Sequence, residues 1–308
     1  MNIYMAGLYT SNFDLHGKIY SRLTDEEKKH RQEVKYILES YHYIHRQSFV
    51  DKIRRDGETV FLDSGAFSAF TKGVKVDIKA YCRYIQQNAD IIKTIDGNVC
   101  ASVLDAIGDA QGTYENQMAM EKLGVRPLPC FHYNEDTAYL DWYVANYDHI
   151  TLGGMVPIST PQLLHWLDRI WENHLIDGAG RPKIKVHAFG VTTPVLMRRY
   201  PWYSVDSSSW VQMAATGNIF INDRALSISD RSPSRKMANQ HFDNMVEAHQ
   251  EAISTIVEQR GFTIDRLKTE YIARWVYNLM AFTEMNNTYE GEWFDQTFIN
   301  EQIGLFDA

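Results

Sequence analysis

Three short apolar runs in this sequence each end in an aspartate, and they constrain the fold more than any other feature. The runs cover residues 59–63, 99–105 and 203–206, and they end at Asp63, Asp105 and Asp206. Aspartate is depleted within strands and costly to bury without a partner, so each run predicts a buried strand that opens into a polar site. Because parallel strands place their carboxyl ends at one edge of a sheet, we expect the three carboxylates to share that edge.

The order of the elements predicts the fold class. Apolar runs alternate with helical patterns along most of the chain, which is typical of an α/β fold, here a (β/α)₈ barrel. The eight predicted strands cover residues 1–8, 59–63, 99–105, 126–132, 149–153, 183–190, 203–206 and 218–221.

Helix signals fill most of the gaps between these strands. Thr24 and Glu27 fit a capping box at the start of a helix. An apolar stripe at helical spacing predicts that this helical region continues. The stripe consists of Val34, Ile37, Leu38, Tyr41 and Ile44.

The length of 308 residues suits one large barrel. We expect a single domain, 1–308, with the barrel in residues 1–233 and a helical extension in residues 234–308. Two long amphipathic patterns, at 237–260 and 264–285, predict the helices of that extension.

Composition predicts a soluble cytoplasmic protein, in a host cytoplasm if the chain is viral. No apolar run is long enough to span a bilayer, residues 1–4 show no signal-peptide pattern, and we expect no membrane partner. The three cysteines, Cys82, Cys100 and Cys130, are too few for a disulfide scaffold and favour a reducing compartment. They lack the spacing of a zinc motif, so we expect no metal site.

The aspartates at the strand ends have two interpretations. Each could cap the helix that follows, since an aspartate side chain satisfies free N–H groups there. Three carboxylates converging on one apolar mouth are harder to explain by capping, because like charges raise each other's pKa. Paired carboxylates suit chemistry at the anomeric carbon of a sugar.

Five segments resemble, in the same order, motifs of the tRNA-guanine transglycosylases. The family motifs are Asp-Ser-Gly-Gly-Phe/Tyr-Gln, a Gly-Gly-Leu-x-Val loop, Gly-Val-Gly-x-Pro, the strand that carries the nucleophilic aspartate, and Gly-x-(Ile/Leu)-x-Ile-x-Asn. The matching segments are 63–68 (DSGAFS), 152–156 (LGGMV), 187–194 (HAFGVTTP), 204–206 (SVD) and 217–224 (GNIFINDR).

Departures from the family point to a different polymer. The Cys-x-Cys-x-x-Cys…His zinc site is absent, and residues 231–236 (RSPSRK) stand in its place. Thr192 replaces the second glycine of one motif, residues 157–159 (PIS) replace an expected glutamate, and no added RNA-binding domain is visible. The chain is therefore most similar to the shorter, often viral 7-deazaguanine DNA transglycosylases (DpdA type).

The resemblance implies a mechanism and a base pocket. Asp206 would attack C1′ of a deoxyguanosine, and Asp63 would move the proton to and from the bases. Asp105 and the backbone of Gly153 and Gly154 would form hydrogen bonds with the purine edge. The reaction would require no cofactor. The other pocket positions are Phe67 and Phe189, which would sandwich the base, and Ser64, His132 and Gly190. Without the motif context, the two phenylalanines fit a hydrophobic core, and His132 fits an orienting role.

DNA binding needs local positive charge, because the net charge is −8. Arginine mixed with aromatic residues can neutralise phosphates and stack on splayed bases. The candidates are Arg198, Arg199, Trp202, Arg224, Arg231, Arg235 and Lys236. Asp223 and Asp230 lie in the same stretch, so a solvated charged face is the competing interpretation.

The expected function is exchange of guanine in DNA for a free 7-deazaguanine base, such as preQ0 or a derivative. A close alternative keeps the chemistry and changes the polymer to tRNA. A second alternative is a carboxylate-dependent glycoside hydrolase. A third is a non-catalytic nucleic-acid-binding paralogue, although such a protein need keep neither Asp63 nor Asp206.

Overall fold

The computed structural model describes residues 1–191, 193–237, 240–288 and 293–298. Within it the chain forms two compact units. The first unit contains Met1–Tyr4, Leu38–Asp206 and residues 293–298; the second contains Met5–Ile37 and residues 207–288. The chain passes from the first unit to the second at Asp206. Residues 238–239, 289–292 and 299–308 of the expected extension lie outside the described residues.

The strands are short. They are β1 (Asn2–Ala6), β2 (Ile37–Ser40), β3 (Phe61–Asp63), β4 (Thr94–Ile95), β5 (Asn98–Val99), β6 (Cys130–His132), β7 (His149–Gly153), β8 (Lys185–Ala188), β9 (Ser204–Ser207), β10 (Asn218–Ile221) and β11 (Arg224–Ser227).

Helices separate most of these strands, so the fold is mixed α/β. They are α1 (Asp25–Gln32), α2 (Tyr41–Ile44), α3 (Gln47–Asp56), α4 (Ala66–Thr71), α5 (Ile78–Gln87), α6 (Ala110–Lys122), α7 (Thr137–Asn146), α8 (Thr160–Ile170), α9 (Pro194–Arg199), α10 (Ser209–Ala215), α11 (Glu247–Gln259), α12 (Ile264–Thr269) and α13 (Tyr271–Asn287).

A seven-stranded, curled parallel sheet forms the centre of the fold, in the order β3-β2-β1-β9-β8-β7-β6. All five residues of β7 are buried, as expected for an inner strand of a sheet covered on both faces. The strand ends that carry Asp63, His132, Gly153 and Asp206 are all carboxyl ends of this sheet.

The third predicted strand, 99–105, pairs with its neighbours through isolated β-bridges. Its first residue belongs to β5, which pairs antiparallel with β4. The following residues pair in parallel on both sides, with Ala101 opposite Leu62 and Ser102 opposite Leu128. The N–H of Leu62 donates to the carbonyl of Cys100 at 2.8 Å. Residues 100–103 therefore lie between β3 and the segment that leads into β6, and they deliver Asp105 to the same edge.

One predicted helical region is wrong in part. The capping box is confirmed, because Thr24 Oγ accepts from the N–H of Glu27 at 3.2 Å and the Glu27 carboxylate accepts from the N–H of Thr24 at 2.9 Å. The stripe beyond it does not continue that helix. Residues 37–40 form β2, and the only helical part of the stripe is α2 (Tyr41–Ile44). An apolar run this short does not distinguish a helix from a buried strand, and pairing with β3 decides the outcome.

The last predicted strand forms but does not join the central sheet. Asn218–Ile221 pairs antiparallel with β11 in a separate two-stranded sheet. Asn222 and Asp223 both adopt positive φ, at 51° and 60°, which is the geometry of a two-residue hairpin turn. The local turn therefore supplies the partner of β10.

The C-terminal helices differ in extent from those expected. The first, α11, begins at Glu247, ten residues after the predicted start at 237. The second predicted helix is two helices, α12 and α13, divided at Glu270. Among the described residues, no helix combines the length and the apolar character needed to cross a bilayer.

Candidate active site

Asp63 is the strand-end aspartate whose pKa is clearly raised. It ends β3, and its register partner in β2 is Ser40. The pKa of Asp63 is raised to about 7 by burial first and then by the charges of Asp105 and Asp206, against the opposing effects of the Gly65 N–H and Ser40. Asp63 therefore interacts with both of the other predicted carboxylates. A carboxyl group with a pKa near 7 is suited to both giving and taking a proton.

Asp206 is held from two sides. Its side chain is buried, and Oδ1 accepts a hydrogen bond from the N–H of Gly190 at 2.8 Å. Nε2 of the buried His187 lies 3.5 Å from the same oxygen. Nδ1 of His187 is 2.8 Å from Oγ of Ser204, which fixes the ring. Burial lowers the pKa of His187 against the effect of Asp206, so the imidazole is neutral at pH 7.

Helix capping does not account for these aspartates. Asp109 caps α6, and the N-cap of α10 is Ser208. Asp63 accepts one backbone bond, from the N–H of Gly65 at 3.0 Å, but the N-cap of α4 is Gly65 itself. The carboxylates at this edge are therefore available for chemistry.

A second polar cluster surrounds Asp105. Nε2 of His132 lies 3.5 Å from Asp105 Oδ1 and 3.5 Å from Sγ of Cys130. On its other side, Nδ1 of His132 donates to Glu135 Oε1 at 2.9 Å. Burial acts to lower the pKa of His132, but the Cys130 sulfur and the carboxylates of Asp105 and Glu135 together raise it. The ligand atoms of Asp105, Cys130 and His132 lie within 4.8 Å of one another, and together they could hold a metal ion.

The glycine pair after β7 leaves room for this cluster. A Cβ at Gly153 would lie 3.0 Å from Cys130 Sγ and 3.1 Å from Cδ2 of His132. Gly154 has φ of +69°, and a Cβ there would approach His132 and the backbone of Tyr133 at 3.2 Å. A side chain at either position would therefore crowd this cluster. Gly153 is itself buried, whereas the backbone of Gly154 is exposed and open to a ligand.

The two predicted stacking rings have different environments. Phe67, in the first turn of α4, is 61% exposed. Phe189 is half-buried and packs against Phe61 and His187, with ring centroids 5.8 and 4.8 Å apart. An exposed aromatic ring at the mouth is unusual for a core residue, so Phe67 fits a ligand-contacting role better than a core role.

Two other predicted pocket residues act through their backbone. Ser64 is buried, and its N–H donates to Oγ of Ser102 at 2.9 Å. Gly190 has φ of +70° and supplies the N–H that binds Asp206. Thr192, two residues further along, lies outside the described residues.

Within the first unit, the three predicted DNA-binding residues differ in whether their side chains could reach a phosphate or a base. Arg198 is exposed. Arg199 makes a bidentate ion pair with Asp168, at 2.8 and 2.9 Å. Trp202 is fully buried, and its indole N–H donates to the carbonyl of Leu196. Trp202 is therefore a core residue, and we remove it from the expected DNA surface.

Within the second unit, four of the predicted basic residues are exposed: Arg224, Arg231, Arg235 and Lys236. Arg235 lies 3.4 Å from Asp230 and 3.3 Å from Asp243, so part of its charge is balanced within the protein. Arg224 begins β11, directly after the hairpin turn.

Sequence reasoning missed four contributors to the site. Ser40 was hidden because its strand was predicted as helix. Ser204 and Glu135 were not singled out, although each stands close in sequence to a predicted residue. The signal for Cys130 was its separation from His132 by one residue, which places both side chains on the same face of a strand.

A scan against models of known protein families gives no match, and a search of curated proteins gives no significant match. The geometry must therefore support any functional conclusion by itself. The site contains Asp63, whose pKa suits proton transfer, and Asp206, whose carboxylate is held in one orientation. It also contains the polar cluster around Asp105.

Proposed function

We propose that this protein is a DNA-guanine transglycosylase that exchanges guanine in DNA for a 7-deazaguanine base through a covalent aspartyl-glycosyl intermediate. The observation that carries the proposal is the difference between the two carboxylates. Asp63 has a pKa raised to about 7, whereas Asp206 is oriented by the Gly190 N–H beside His187. Two titratable groups in such different environments suit an acid–base and a nucleophile.

The proposed scaffold is an eight-stranded (β/α) barrel. Support comes from residues 100–103, which pair in parallel with Leu62 on one side and Leu128 on the other. Added to the seven-stranded sheet, this segment would be the eighth strand and would connect β3 to the start of β6. Active sites of such barrels are built at the carboxyl ends of the strands.

In the first half-reaction, a carboxylate oxygen of Asp206 attacks C1′ of the target deoxyguanosine. The bond from C1′ to the base nitrogen breaks, and protonated Asp63 supplies the proton that the departing guanine needs. The product is a glycosyl ester on Asp206 and free guanine. Because a base inside a duplex is out of reach, the target nucleotide is flipped or single-stranded.

In the second half-reaction, Asp63 takes a proton from the incoming 7-deazaguanine. The ring nitrogen then attacks C1′, and the ester bond to Asp206 breaks. Two inversions at one carbon retain the β configuration, as in retaining glycosidases. One glycosidic bond replaces another, so the exchange needs no external source of energy.

Recognition of the base would use groups that the fold already exposes. The second oxygen of Asp105 would accept from the purine edge, and the backbone after β7 would bind its carbonyl oxygen. Phe67, exposed on α4, would cover one face of the ring. Base–aromatic stacking contributes about 1–3 kcal/mol per base.

The test is incorporation of labelled guanine into DNA and, in parallel, into tRNA. We expect incorporation into DNA by the wild type and none by Asp206→Asn. Asp136→Asn is the matched control, because Asp136 is an exposed helix cap whose carboxylate accepts from the N–H of Ala138. Mass analysis of the denatured protein should find a glycosyl adduct only when Asp206 is present.

Other results would select among the alternatives. Incorporation into tRNA alone would keep the chemistry and change the polymer. Release of a sugar product without base exchange would favour a glycoside hydrolase. Nucleic-acid binding with neither adduct nor exchange would favour the non-catalytic paralogue.

A further inference from the structure

The cluster formed by Asp105, Cys130 and His132 has the composition of a metal site. Cys130 and His132 point to the same face of β6, and Asp105 reaches them from the end of the neighbouring segment. All three ligand atoms lie within 4.8 Å of one another. A thiol, an imidazole and a carboxylate are the three side-chain types that bind zinc in proteins.

The two separations that involve His132 match the edges of a coordination tetrahedron, and the third, from Cys130 to Asp105, lies within 4.8 Å. Zinc bonds of about 2.3 Å to sulfur and about 2.0–2.2 Å to nitrogen or oxygen place neighbouring ligand atoms about 3.3–3.6 Å apart. The distances from His132 Nε2 to Cys130 Sγ and to Asp105 Oδ1 are both 3.5 Å. The second distance exceeds the roughly 3.2 Å limit of a good N–H···O hydrogen bond.

Asp105 Oδ1 has no better partner among the described residues. The atom is buried and makes no hydrogen bond. Leaving a buried acceptor unsatisfied is destabilising, and more so when the group is charged. A cation bound at this oxygen would remove that cost.

Glu135 completes the arrangement by orienting His132. Its Oε1 accepts from Nδ1 of His132 at 2.9 Å, and its Oε2 accepts from the His132 backbone N–H at 2.9 Å. The ring therefore presents Nε2 to Cys130 and Asp105. Histidine ligands of metals ordinarily donate their other ring N–H to a carboxylate in this way.

We propose that Asp105, Cys130 and His132 bind one divalent first-row cation of the zinc class. The thiolate and imidazole favour zinc over magnesium or calcium, which prefer oxygen ligands. Three protein ligands leave the fourth position of the tetrahedron to water or a substrate atom, as in catalytic rather than structural zinc sites. The ion would use Oδ1 of Asp105 and leave the second oxygen of that carboxylate for the base.

Cobalt(II) is the probe, because its spectrum reports both sulfur ligation and tetrahedral geometry. Full-length protein is stripped with a chelator and titrated with Co²⁺, and Zn²⁺ is then added. We expect a thiolate-to-cobalt charge-transfer band and visible ligand-field bands that saturate at one ion per chain. Zinc should displace the cobalt and abolish both.

Cys130→Ser should remove the charge-transfer band, whereas Cys82→Ser should keep it. Cys82 is a matched control because its thiol is also buried but lies in α5, outside the cluster. Glu135→Gln should weaken zinc binding roughly 10–100-fold while keeping the band. Absence of a saturable cobalt spectrum, or a band that survives Cys130→Ser, would overturn the proposal.

Asp105→Asn covers the case in which Cys130→Ser does not fold, because it preserves the shape of the side chain. A folded Asp105→Asn protein with unchanged metal affinity would also overturn the proposal. Ion binding does not depend on base exchange. Zinc uptake without exchange would refute only the proposed reaction, and exchange by a protein that takes up no metal would refute only the metal site.

Discussion

The backbone N–H of Gly190 donates a 2.8 Å hydrogen bond to Oδ1 of Asp206. This bond links the ends of two adjacent strands, β8 and β9, and it restricts the carboxylate to one orientation. His187 lies 3.5 Å from the same oxygen and is itself fixed by Ser204. Orientation of the proposed nucleophile therefore depends on a chain of contacts that can be removed one residue at a time.

The first prediction concerns that chain. His187→Gln and Ser204→Ala should each slow formation of the covalent adduct by roughly 2–10-fold, since each removes the hydrogen bond between Ser204 and the His187 ring, and an ordinary hydrogen bond is worth about 0.5–1.5 kcal/mol. The KM for DNA should not change, because neither residue contacts the polymer in the proposed mechanism. Steady-state and single-turnover rates would measure both quantities. A rise in KM at constant kcat would contradict the positioning role.

The second prediction is the pH dependence of guanine release. Asp63 must be protonated to donate to the departing base, and its pKa is raised to about 7. The single-turnover rate of release at saturating DNA should therefore fall as the pH rises through about 7. Asp105→Asn removes one of the charges that raise this pKa, so the fall should occur at lower pH. A shift to higher pH in this variant would exclude Asp63 as the acid.

The third prediction is a stability measurement on the same residue. The pKa of Asp63 is about 7 in the folded protein against 3.8 as its ordinary value. The folded state holds this proton more tightly, so the stabilisation is complete below pH 4 and is lost between about pH 4 and pH 7. Over that window the wild type should lose up to roughly 4 kcal/mol more stability than Asp63→Asn. Denaturant unfolding at several pH values would measure the difference, and parallel curves would refute the shifted pKa.

A fourth prediction separates backbone strain from steric collision. Gly65 has φ of +73°, and a Cβ there would collide with the Ser40 hydroxyl and His42. Gly57 has φ of +68° but nothing within 4 Å of its Cβ position. Alanine at Gly57 should cost about 1 kcal/mol from strain alone. Alanine at Gly65 should cost more and should also displace Asp63, whose carboxylate accepts from the Gly65 N–H.

Unfolding free energies and adduct formation would be measured for both glycine variants. Gly57→Ala should retain full activity because it lies at the end of α3, away from the carboxylates. Equal losses of stability and activity in the two variants would show that the contact with Ser40 and His42 is unimportant.

The fifth prediction tests the exposed arginines of the second unit. If Arg224 and Arg231 each contact a phosphate, replacement of either by alanine should lower the slope of log affinity against log salt by about one. Arg181→Ala is the control, because Arg181 is exposed but pairs with Asp177 in a turn of the first unit. Fluorescence anisotropy with single-stranded DNA over a range of salt would give the slopes. Identical slopes for all three variants would remove these positions from the proposed DNA surface.

One inner strand was predicted with its observed bounds. His149–Gly153 is a short apolar run that ends at a glycine pair, and its pattern contains no competing helical period. The run at Ile37 was too short to distinguish a strand from a helix, and its strand partner, β3, lies beyond two intervening helices, α2 and α3. The local sequence therefore does not indicate that these two strands pair.

The residues of the candidate site were likewise predicted only in part. The pattern of apolar runs that end in aspartate led directly to Asp63, Asp105 and Asp206, and the charges of the last two contribute to the raised pKa of Asp63. The cluster of Cys130 with Asp105 was missed because its members come from separate strands and become neighbours only when the sheet forms. Trp202 was misjudged because an aromatic residue among arginines gives no indication of its burial.

The N–H of Asn2 donates to the carbonyl of Tyr203 at 3.0 Å, which places the first strand of the chain beside β9. During synthesis, β1 leaves the ribosome long before this neighbour exists. One edge of the growing sheet therefore stays unpaired while most of the first unit is made, and unpaired edges favour aggregation. Maturation of the site waits for the same event, because the strand that finally pairs with β1 is the one that carries Asp206.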